Sequence, residues 1–140
     1  MKYVLDTPLL VEILHAKPDD WITHWIDAIN EDEIYLSTVT ISEINYCIDK
    51  IDDGKQKERL CTWMKKELLP RFNGKIIPID EEVFKEWKAL VSELKAVNKP
   101  LSAFDGLIAA TVRAKRLVLI TYNRETFSAT GIEVSDPWQG

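Results

Sequence analysis

The chain has 140 residues, of which 46% are hydrophobic and 29% charged, with only 5 glycines and 6 prolines. This composition is ordinary for one globular domain, and it excludes a disordered chain, a collagen-like repeat and a small protein held together by disulfides. The 18 basic and 23 acidic residues give a net charge of −5, which excludes the broad basic surface of a protein that coats duplex DNA. Any contact with nucleic acid therefore has to be local, for instance through a bound cation.

The first residues and the two cysteines indicate the compartment in which the protein works. An apolar run of only three residues, Tyr3 to Leu5, precedes Asp6. A secretory signal needs about 7–15 apolar residues and a membrane helix about 20, so the sequence predicts a cytoplasmic protein. Cys47 and Cys61 fit no zinc-binding spacing, and we expect both to be reduced residues within helices.

Short apolar runs alternate with segments in which apolar residues recur at helical spacing. In chain order, the pattern predicts a strand at 2–6, helices at 7–15 and 19–30, a strand at 34–37, helices at 40–51 and 55–69, an edge strand at 75–79, helices at 80–97 and 102–114, and strands at 117–120 and 132–134. Thr7 is the predicted N-cap of the first helix, with Pro8 at its first position. Such alternation predicts one α/β domain over 1–140, with a central, mostly parallel sheet of about five strands and helices on both faces.

Acidic side chains follow the predicted strands where an open parallel sheet places its binding site. Asp6 follows the first strand. Glu43 lies on the first predicted turn of the helix that follows the second strand, and Asp105 lies on the first turn of the helix at 102–114. Because such sites lie beyond the carboxyl ends of the strands, we expect these three carboxylates at one end of the sheet. A set of oxygen ligands without His or Cys suits Mg²⁺ or Mn²⁺. A metal ion there would activate water and neutralise the charge of a phosphodiester.

Each of these acids also has a simpler interpretation, as part of a helix cap. Thr40 and Glu43 have the spacing of a capping box, and Ser102 and Asp105 repeat that spacing. Asp6 stands next to the start of a predicted helix, and acidic side chains favour the positive end of a helix. On the residues alone, both interpretations stay open.

Four segments carry a shared pattern of acids and apolar residues, and they are Tyr3 to Glu12, Thr38 to Ile44, Phe104 to Ala110 and Leu119 to Gly131, with Asp136-Pro137-Trp138 at the end. Together they resemble the PIN-domain family, and within it the VapC-type toxins of bacterial and archaeal toxin–antitoxin pairs. The resemblance spans essentially the whole chain, and its most specific stretch is Phe104 to Ala110.

The resemblance implies a three-layer fold and a Mg²⁺- or Mn²⁺-dependent endoribonuclease that acts as the toxin of a type II toxin–antitoxin pair. It also implies a homodimer or a larger assembly, neutralised by a small antitoxin from a neighbouring gene, without membrane contact. By position, the catalytic residues would be Asp6, Glu43, Asp105 and Asn123. Asp6 and Asp105 would be the metal ligands, and Glu43 would orient or deprotonate the attacking water. Supporting or substrate-binding roles would fall to Thr7, Thr121 and Arg124.

Two positions depart from the family's usual pattern. Pro8 stands where the family usually has Asn, which removes an amide side chain and a backbone donor. Thr126 replaces an acid that often precedes the phenylalanine of the closing motif, and Glu125 would point about 100° away on a helix. The alternative is therefore a PIN-like binding protein that keeps its antitoxin but has weak or no activity. A hydrolase with Asp6 as nucleophile fits less well, because the second acid that it needs would fall at Pro8.

Basic and aromatic residues give weaker signals. The candidate phosphate contacts are Arg113, Lys115, Arg116 and Arg124. The tryptophans at apolar helix positions are Trp21, Trp25, Trp63 and Trp87. Core packing is the usual role of such tryptophans, but aromatic residues are also enriched at interfaces. We expect one or two of them to line a groove for the antitoxin or a dimer partner.

Overall fold

The computed structural model describes residues 2–14 and 31–136 and has a central sheet of five strands. The strands are β1 (Tyr3–Leu5), β2 (Ile34–Ser37), β3 (Ile76–Ile77), β4 (Val118–Ile120) and β5 (Glu133–Ser135). They lie in the order β3-β2-β1-β4-β5, and every neighbouring pair is parallel. This arrangement confirms the predicted parallel sheet and the edge position of its third strand. The predicted helix at 19–30 lies outside the described residues.

Helices connect the strands, as expected for an α/β fold. The longer ones are α1 (Thr7–Leu14), α2 (Thr38–Asp49), α3 (Gly54–Trp63), α4 (Glu81–Ala96) and α5 (Ala103–Lys115), with 3₁₀ turns at Glu31–Glu33 and Ser128–Thr130. A π-helical turn at Met64–Leu68 and a short helical turn at Leu69–Arg71 extend α3. Cys47 in α2 and Cys61 in α3 are free thiols. Within the described ranges, no helix is long and apolar enough to cross a membrane.

Two apolar clusters cover the two faces of the sheet. Leu5 of β1 and Ile120 of β4 belong to a cluster that also contains side chains of α1, α2 and the extension of α3. Their neighbours Val4 and Leu119 belong to a second cluster, which is built largely from α4 and α5. Successive residues of a strand point to opposite faces, so the sheet is buried on both sides and the molecule has three layers.

Helix α2 begins at Thr38, two residues before the predicted start at Thr40. The buried Ser37 hydroxyl caps the helix, because its oxygen accepts a 3.0 Å hydrogen bond from the N–H of Val39. Serine is common at the N-cap because its side-chain oxygen accepts a hydrogen bond from a backbone N–H of the first turn that would otherwise lack a partner. The structure therefore does not support the interpretation of Thr40 and Glu43 as a capping box, and Glu43 lies on the second turn of α2.

The first residues of α1 and α5 test two further predicted helix caps. In α1 the carbonyl of Asp6 accepts the first helical hydrogen bond, from the N–H of Leu10 at 3.2 Å. The N-cap is therefore Asp6, and the prediction of Thr7 is wrong by one residue. The predicted cap of α5 is confirmed, since the Ser102 hydroxyl accepts a 3.1 Å hydrogen bond from the N–H of Asp105.

The two described tryptophans of the predicted set have different surroundings. Trp63 is half-buried and packs against the first apolar cluster. Trp87 lines an apolar groove of about 320 Å³, together with residues of α4 and α5. An interface role for Trp87 stays a prediction, and Trp21 and Trp25 lie outside the described residues.

Candidate active site

A pocket of about 320 Å³ opens beyond the carboxyl ends of β1 and β4. It is lined by the acids Asp6, Glu43 and Asp105, by Thr7 and Asn123, and by Pro8 and Tyr122. From β1 the chain proceeds to β2 and β3 on one side and later places β4 and β5 on the other. The pocket therefore lies where the strand order changes direction, which is the usual binding position in open α/β sheets.

Asp6 is the most enclosed acid of the pocket and is only 3% exposed. Its Oδ2 accepts a 2.7 Å hydrogen bond from the Thr121 hydroxyl, and its Oδ1 accepts a 2.9 Å bond from the N–H of Thr7. Burial raises the pKa of Asp6 above its ordinary value, and the nearby charge of Asp105 acts in the same direction. The hydrogen bonds from Thr121 and Thr7 oppose that rise in pKa because they stabilise the carboxylate form.

Glu43 faces the same pocket from α2. Its Oε1 accepts a 3.1 Å hydrogen bond from the Thr7 hydroxyl, so Thr7 contacts Asp6 through its backbone and Glu43 through its side chain. Burial raises the pKa of Glu43, the bond from Thr7 lowers it, and the charges of Asp6 and Asp105 raise it further. The charge of neighbouring carboxylates thus disfavours the ionised forms of both Asp6 and Glu43.

Asp105 and Asn123 complete the pocket from α5 and from the loop after β4. The backbone N–H of Asp105 is held by Ser102, which leaves the side chain on the first turn of α5 at the pocket wall. The N–H of Asn123 donates a 3.0 Å hydrogen bond to the oxygen of the buried Thr121 hydroxyl. Thr121 therefore accepts a bond from one pocket residue and donates a bond to another, Asp6.

The donor set has the chemistry of a site for a hard divalent cation. Asp6, Glu43 and Asp105 offer carboxylate oxygens in one pocket. Burial is the main cause of the raised pKa of Asp6 and Glu43, and the charge of neighbouring carboxylates adds to it. Over residues 2–14 and 31–136, no three His, Cys, Asp or Glu side chains converge closely enough to enclose a bare ion. These residues fit an ion that is held by one or two carboxylates and keeps several waters, as Mg²⁺ usually does.

Two of the predicted phosphate contacts are engaged elsewhere in the fold. Arg113 contacts the carboxylates of Glu86 and Glu93 on α4, at N–O distances of 2.8 and 2.7 Å. Lys115 contacts Asp80 at 2.7 Å, next to the start of the same helix. Both basic residues lie on the last turns of α5, and they hold α5 against α4.

Four further positions remain, of which three were named in the sequence analysis and one was not. Arg124 and Thr126 are exposed and do not belong to the described pocket lining, so a role for Arg124 stays a prediction. Pro8 does line the pocket, as its departure from the family pattern suggested. Tyr122 also lines it and was not anticipated. Its place between Thr121 and Asn123, two residues already assigned to the site, was the signal available in the sequence.

Comparisons with known proteins agree with this geometry. The family model described as PIN domain matches residues 3–133. The chain is 32% identical over 135 residues to a protein named Toxin FitB of Neisseria gonorrhoeae, covering 96% of this chain and 97% of that one. It is 30% identical over 136 residues to VapC ribonuclease Y4jK of Sinorhizobium fredii, covering 97% of both.

The same likeness holds in three dimensions. A chain in the crystal structure of FitAcB from Neisseria gonorrhoeae superposes with a TM-score of 0.91 and is 31% identical in sequence. The superposition covers 99% of each chain. The likeness therefore extends over the whole fold and is not confined to the segments around the pocket.

Proposed function

The chain belongs to the PIN-domain family, and on this premise we propose that it is a divalent-metal-dependent endoribonuclease, the toxin of a toxin–antitoxin pair. Relatives at 30% identity or more are named as a toxin and as a VapC ribonuclease. The observation that carries the proposal is the shared pocket of Asp6, Glu43, Asp105 and Asn123, which come from four separate segments of the chain.

In this proposal Asp6 and Asp105 are the carboxylates that would hold Mg²⁺ or Mn²⁺. When bound, the ion would lower the pKa of water and place positive charge against the phosphodiester. The pKa of Glu43 is raised, which suits a carboxylate that accepts a proton from the attacking water. The water oxygen forms a bond to phosphorus in line, the bond from phosphorus to the 3′ oxygen breaks, and that oxygen takes a proton from solvent, so the products carry 5′-phosphate and 3′-hydroxyl ends.

Thr7 and Thr121 have positioning roles in this mechanism. The Thr7 hydroxyl fixes one oxygen of Glu43, and the Thr121 hydroxyl fixes one oxygen of Asp6. Thr121 also orders the loop that presents Asn123 to the pocket. These bonds keep the carboxylates oriented although their charges repel, which is the preorganisation that a metal-dependent hydrolase needs.

The first experiment replaces Asp105 with Asn and measures cleavage of RNA in Mg²⁺ buffer. We expect Asp105→Asn to abolish cleavage, because the amide carries no charge to hold the ion. Circular dichroism should remain that of the wild type, since the Ser102 cap bonds only the backbone of residue 105. Asp52→Asn, a change of the same chemistry at an exposed position outside the pocket, is the matched control. Unchanged cleavage by Asp105→Asn would overturn the assignment.

The proposal includes the partners and setting of a toxin. We propose a single domain over 1–140 that works in the cytoplasm, pairs with a second copy and binds a small antitoxin encoded by a neighbouring gene. The antitoxin partner is supported by a solved relative that is 26% identical and is named as a toxin–antitoxin complex from Klebsiella pneumoniae. Co-expression with the product of the adjacent gene, followed by size-exclusion chromatography, tests it. Elution of the two products as separate species would contradict the pairing.

A second candidate is a PIN-like protein that keeps its antitoxin and has lost most of its activity. The observation that favours it is Pro8, a pocket residue that offers neither an amide side chain nor a backbone N–H. Calorimetric titration of Mg²⁺ into the wild type and into Asp6→Ala separates the two candidates. A nuclease binds the ion only with Asp6 intact, whereas the inactive form shows no difference between the two proteins. A gain of cleavage in Pro8→Asn would identify Pro8 as the cause of weak activity.

A further inference from the structure

The acidic pocket has one aromatic wall, which the mechanism above does not use. Tyr122 lines the pocket beside the acids and is 46% exposed. The other described lining residues, apart from Pro8, are acids, a threonine and an asparagine. Tyr122 is thus the one aromatic ring among the described lining residues.

The backbone on both sides of Tyr122 is tied to the acidic centre. The hydroxyl of Thr121 donates to Asp6, and its oxygen accepts from the N–H of Asn123. The N–H of Thr121 donates a 3.1 Å hydrogen bond to the carbonyl of Ser135, next to the end of β5. The backbone of Tyr122 is therefore held at a fixed place relative to the carboxylates, while the residue is nearly half exposed.

The proposed metal ion would attract one phosphate, and an acidic pocket gains further affinity for RNA from a contact that does not depend on charge. Asp6, Glu43 and Asp105 repel phosphate, and no basic residue is among the described lining residues. An exposed aromatic ring offers uncharged affinity, because an unstacked nucleobase gains stacking energy on its face. Such stacking also tolerates any base sequence, since every base has a π-face.

We propose that Tyr122 is the stacking surface for the nucleobase next to the scissile phosphate. This inference rests on the proposed function, since it takes RNA as the substrate. A base within a duplex keeps its own stacking partners, so the ring selects a nucleotide that is unpaired and turned out of its strand. Tyr122 then determines substrate binding and leaves the chemistry to the acids, which predicts an effect on KM and little on kcat.

The experiment compares Tyr122→Ala, Tyr122→Phe and the control Tyr46→Ala on one single-stranded oligoribonucleotide. Tyr46 is 55% exposed on α2 and lies outside the described pocket lining, so its replacement removes the same side chain away from the pocket. We expect Tyr122→Ala to raise KM about tenfold with kcat almost unchanged. Tyr122→Phe keeps the ring and should behave like wild type, whereas loss of affinity in Tyr122→Phe would assign the effect to the hydroxyl and overturn stacking.

A second arm changes the RNA. Oligoribonucleotides with an abasic residue on either side of the cleaved bond should bind wild type and Tyr122→Ala equally, because the stacking base is gone. An unchanged KM in Tyr122→Ala on intact RNA, with wild type active, overturns this inference and leaves the proposed function standing.

If the wild type cleaves no RNA at all, the proposed function is contradicted, and a binding measurement still tests the stacking contact. Fluorescence anisotropy reports the affinity of a labelled oligoribonucleotide for Asp105→Asn with and without Tyr122→Ala. About tenfold weaker binding of the double variant to intact RNA, and equal binding to abasic RNA, supports the stacking contact. Equal binding of both proteins to intact RNA overturns it.

Discussion

The hydroxyl of Thr121 donates a 2.7 Å hydrogen bond to Oδ2 of Asp6, across 115 residues of the chain. This contact joins the ends of the neighbouring strands β1 and β4. It also opposes the effect of burial on the pKa of Asp6, which would otherwise favour the protonated form. A single hydroxyl therefore influences both the position and the charge of the most buried acid in the pocket.

Removal of this hydroxyl should shift the pH dependence of RNA cleavage. In Thr121→Val the carboxylate of Asp6 loses the hydrogen bond that lowers its pKa, so the pKa of Asp6 rises further. The acidic limb of the pH–rate profile should therefore move to higher pH. Thr121→Ser keeps the hydroxyl and should retain the wild-type limb. An unmoved limb in Thr121→Val would show that Asp6 does not control activity.

The stability of the metal-free protein should fall as the pH rises through the titration of Asp6 and Glu43. Both groups have pKa values raised mainly by burial, so the folded state binds protons that the unfolded state has already released. The free energy of unfolding from these two groups is thus highest below their unfolded pKa and declines toward neutral pH. Asp80 and Glu93 have lowered pKa values and act with the opposite sign.

The contribution of Asp6 is isolated by Asp6→Asn, which leaves an uncharged side chain of the same shape. Denaturant titrations over a pH series in metal-free buffer measure the difference between variant and wild type. We expect Asp6→Asn to gain stability over wild type as the pH rises, with Asp52→Asn as the control. A constant difference across the series would contradict the raised pKa of Asp6.

Divalent cations should stabilise the folded protein, because the acids line one pocket only in the folded state. Ligand at about one hundred times its Kd adds about 2.7 kcal/mol, which corresponds to a rise of about ten degrees in Tm for a domain of this size. Thermal melting with Mg²⁺ or Mn²⁺, before and after addition of a chelator, measures this. The rise should vanish in Asp105→Asn and persist in Asp52→Asn. An equal rise in both variants would indicate binding outside the pocket.

The cap of α5 makes a separate prediction about stability. Ser102→Ala leaves the N–H of Asp105 without its side-chain partner and should lower the free energy of unfolding by about 1 kcal/mol. Ser102→Thr retains an oxygen at the same place and should lose less. Urea denaturation of the three proteins measures the difference, and equal midpoints for Ser102→Ala and wild type would show that the cap contributes nothing.

The parallel sheet could be predicted because its central strands carry a local signal. Val4 and Leu5 in β1, and Leu119 and Ile120 in β4, are buried on alternate faces, so both strands are continuous apolar runs in the sequence. Helices of amphipathic character separate them, which leaves few arrangements other than parallel pairing with helices on both faces. The location of the acids at the carboxyl ends of the strands follows from that topology.

The surroundings of Glu43 could not be predicted from local spacing. Its distance from Thr40 matches a capping box, but the helix starts earlier because Ser37 at the end of β2 supplies the cap. The actual partner of Glu43 is Thr7, which lies 36 residues away in the chain. The place of Tyr122 in the pocket lining also depends on a contact between distant parts of the chain, because its neighbour Thr121 is bonded to Asp6.

The late position of β4 in the chain determines when the pocket can be completed during synthesis. All three acids of the pocket are synthesised before the chain reaches Val118, where β4 begins. A ribosome adds about 5–20 residues per second, starting from the N-terminus. Until β4 and Thr121 have been synthesised, Asp6 lacks the hydroxyl that orients it, and β1 lacks the strand that pairs with its second edge. In the ribonuclease proposed above, the carboxylates of the pocket therefore reach their final arrangement only after β4 has paired with β1.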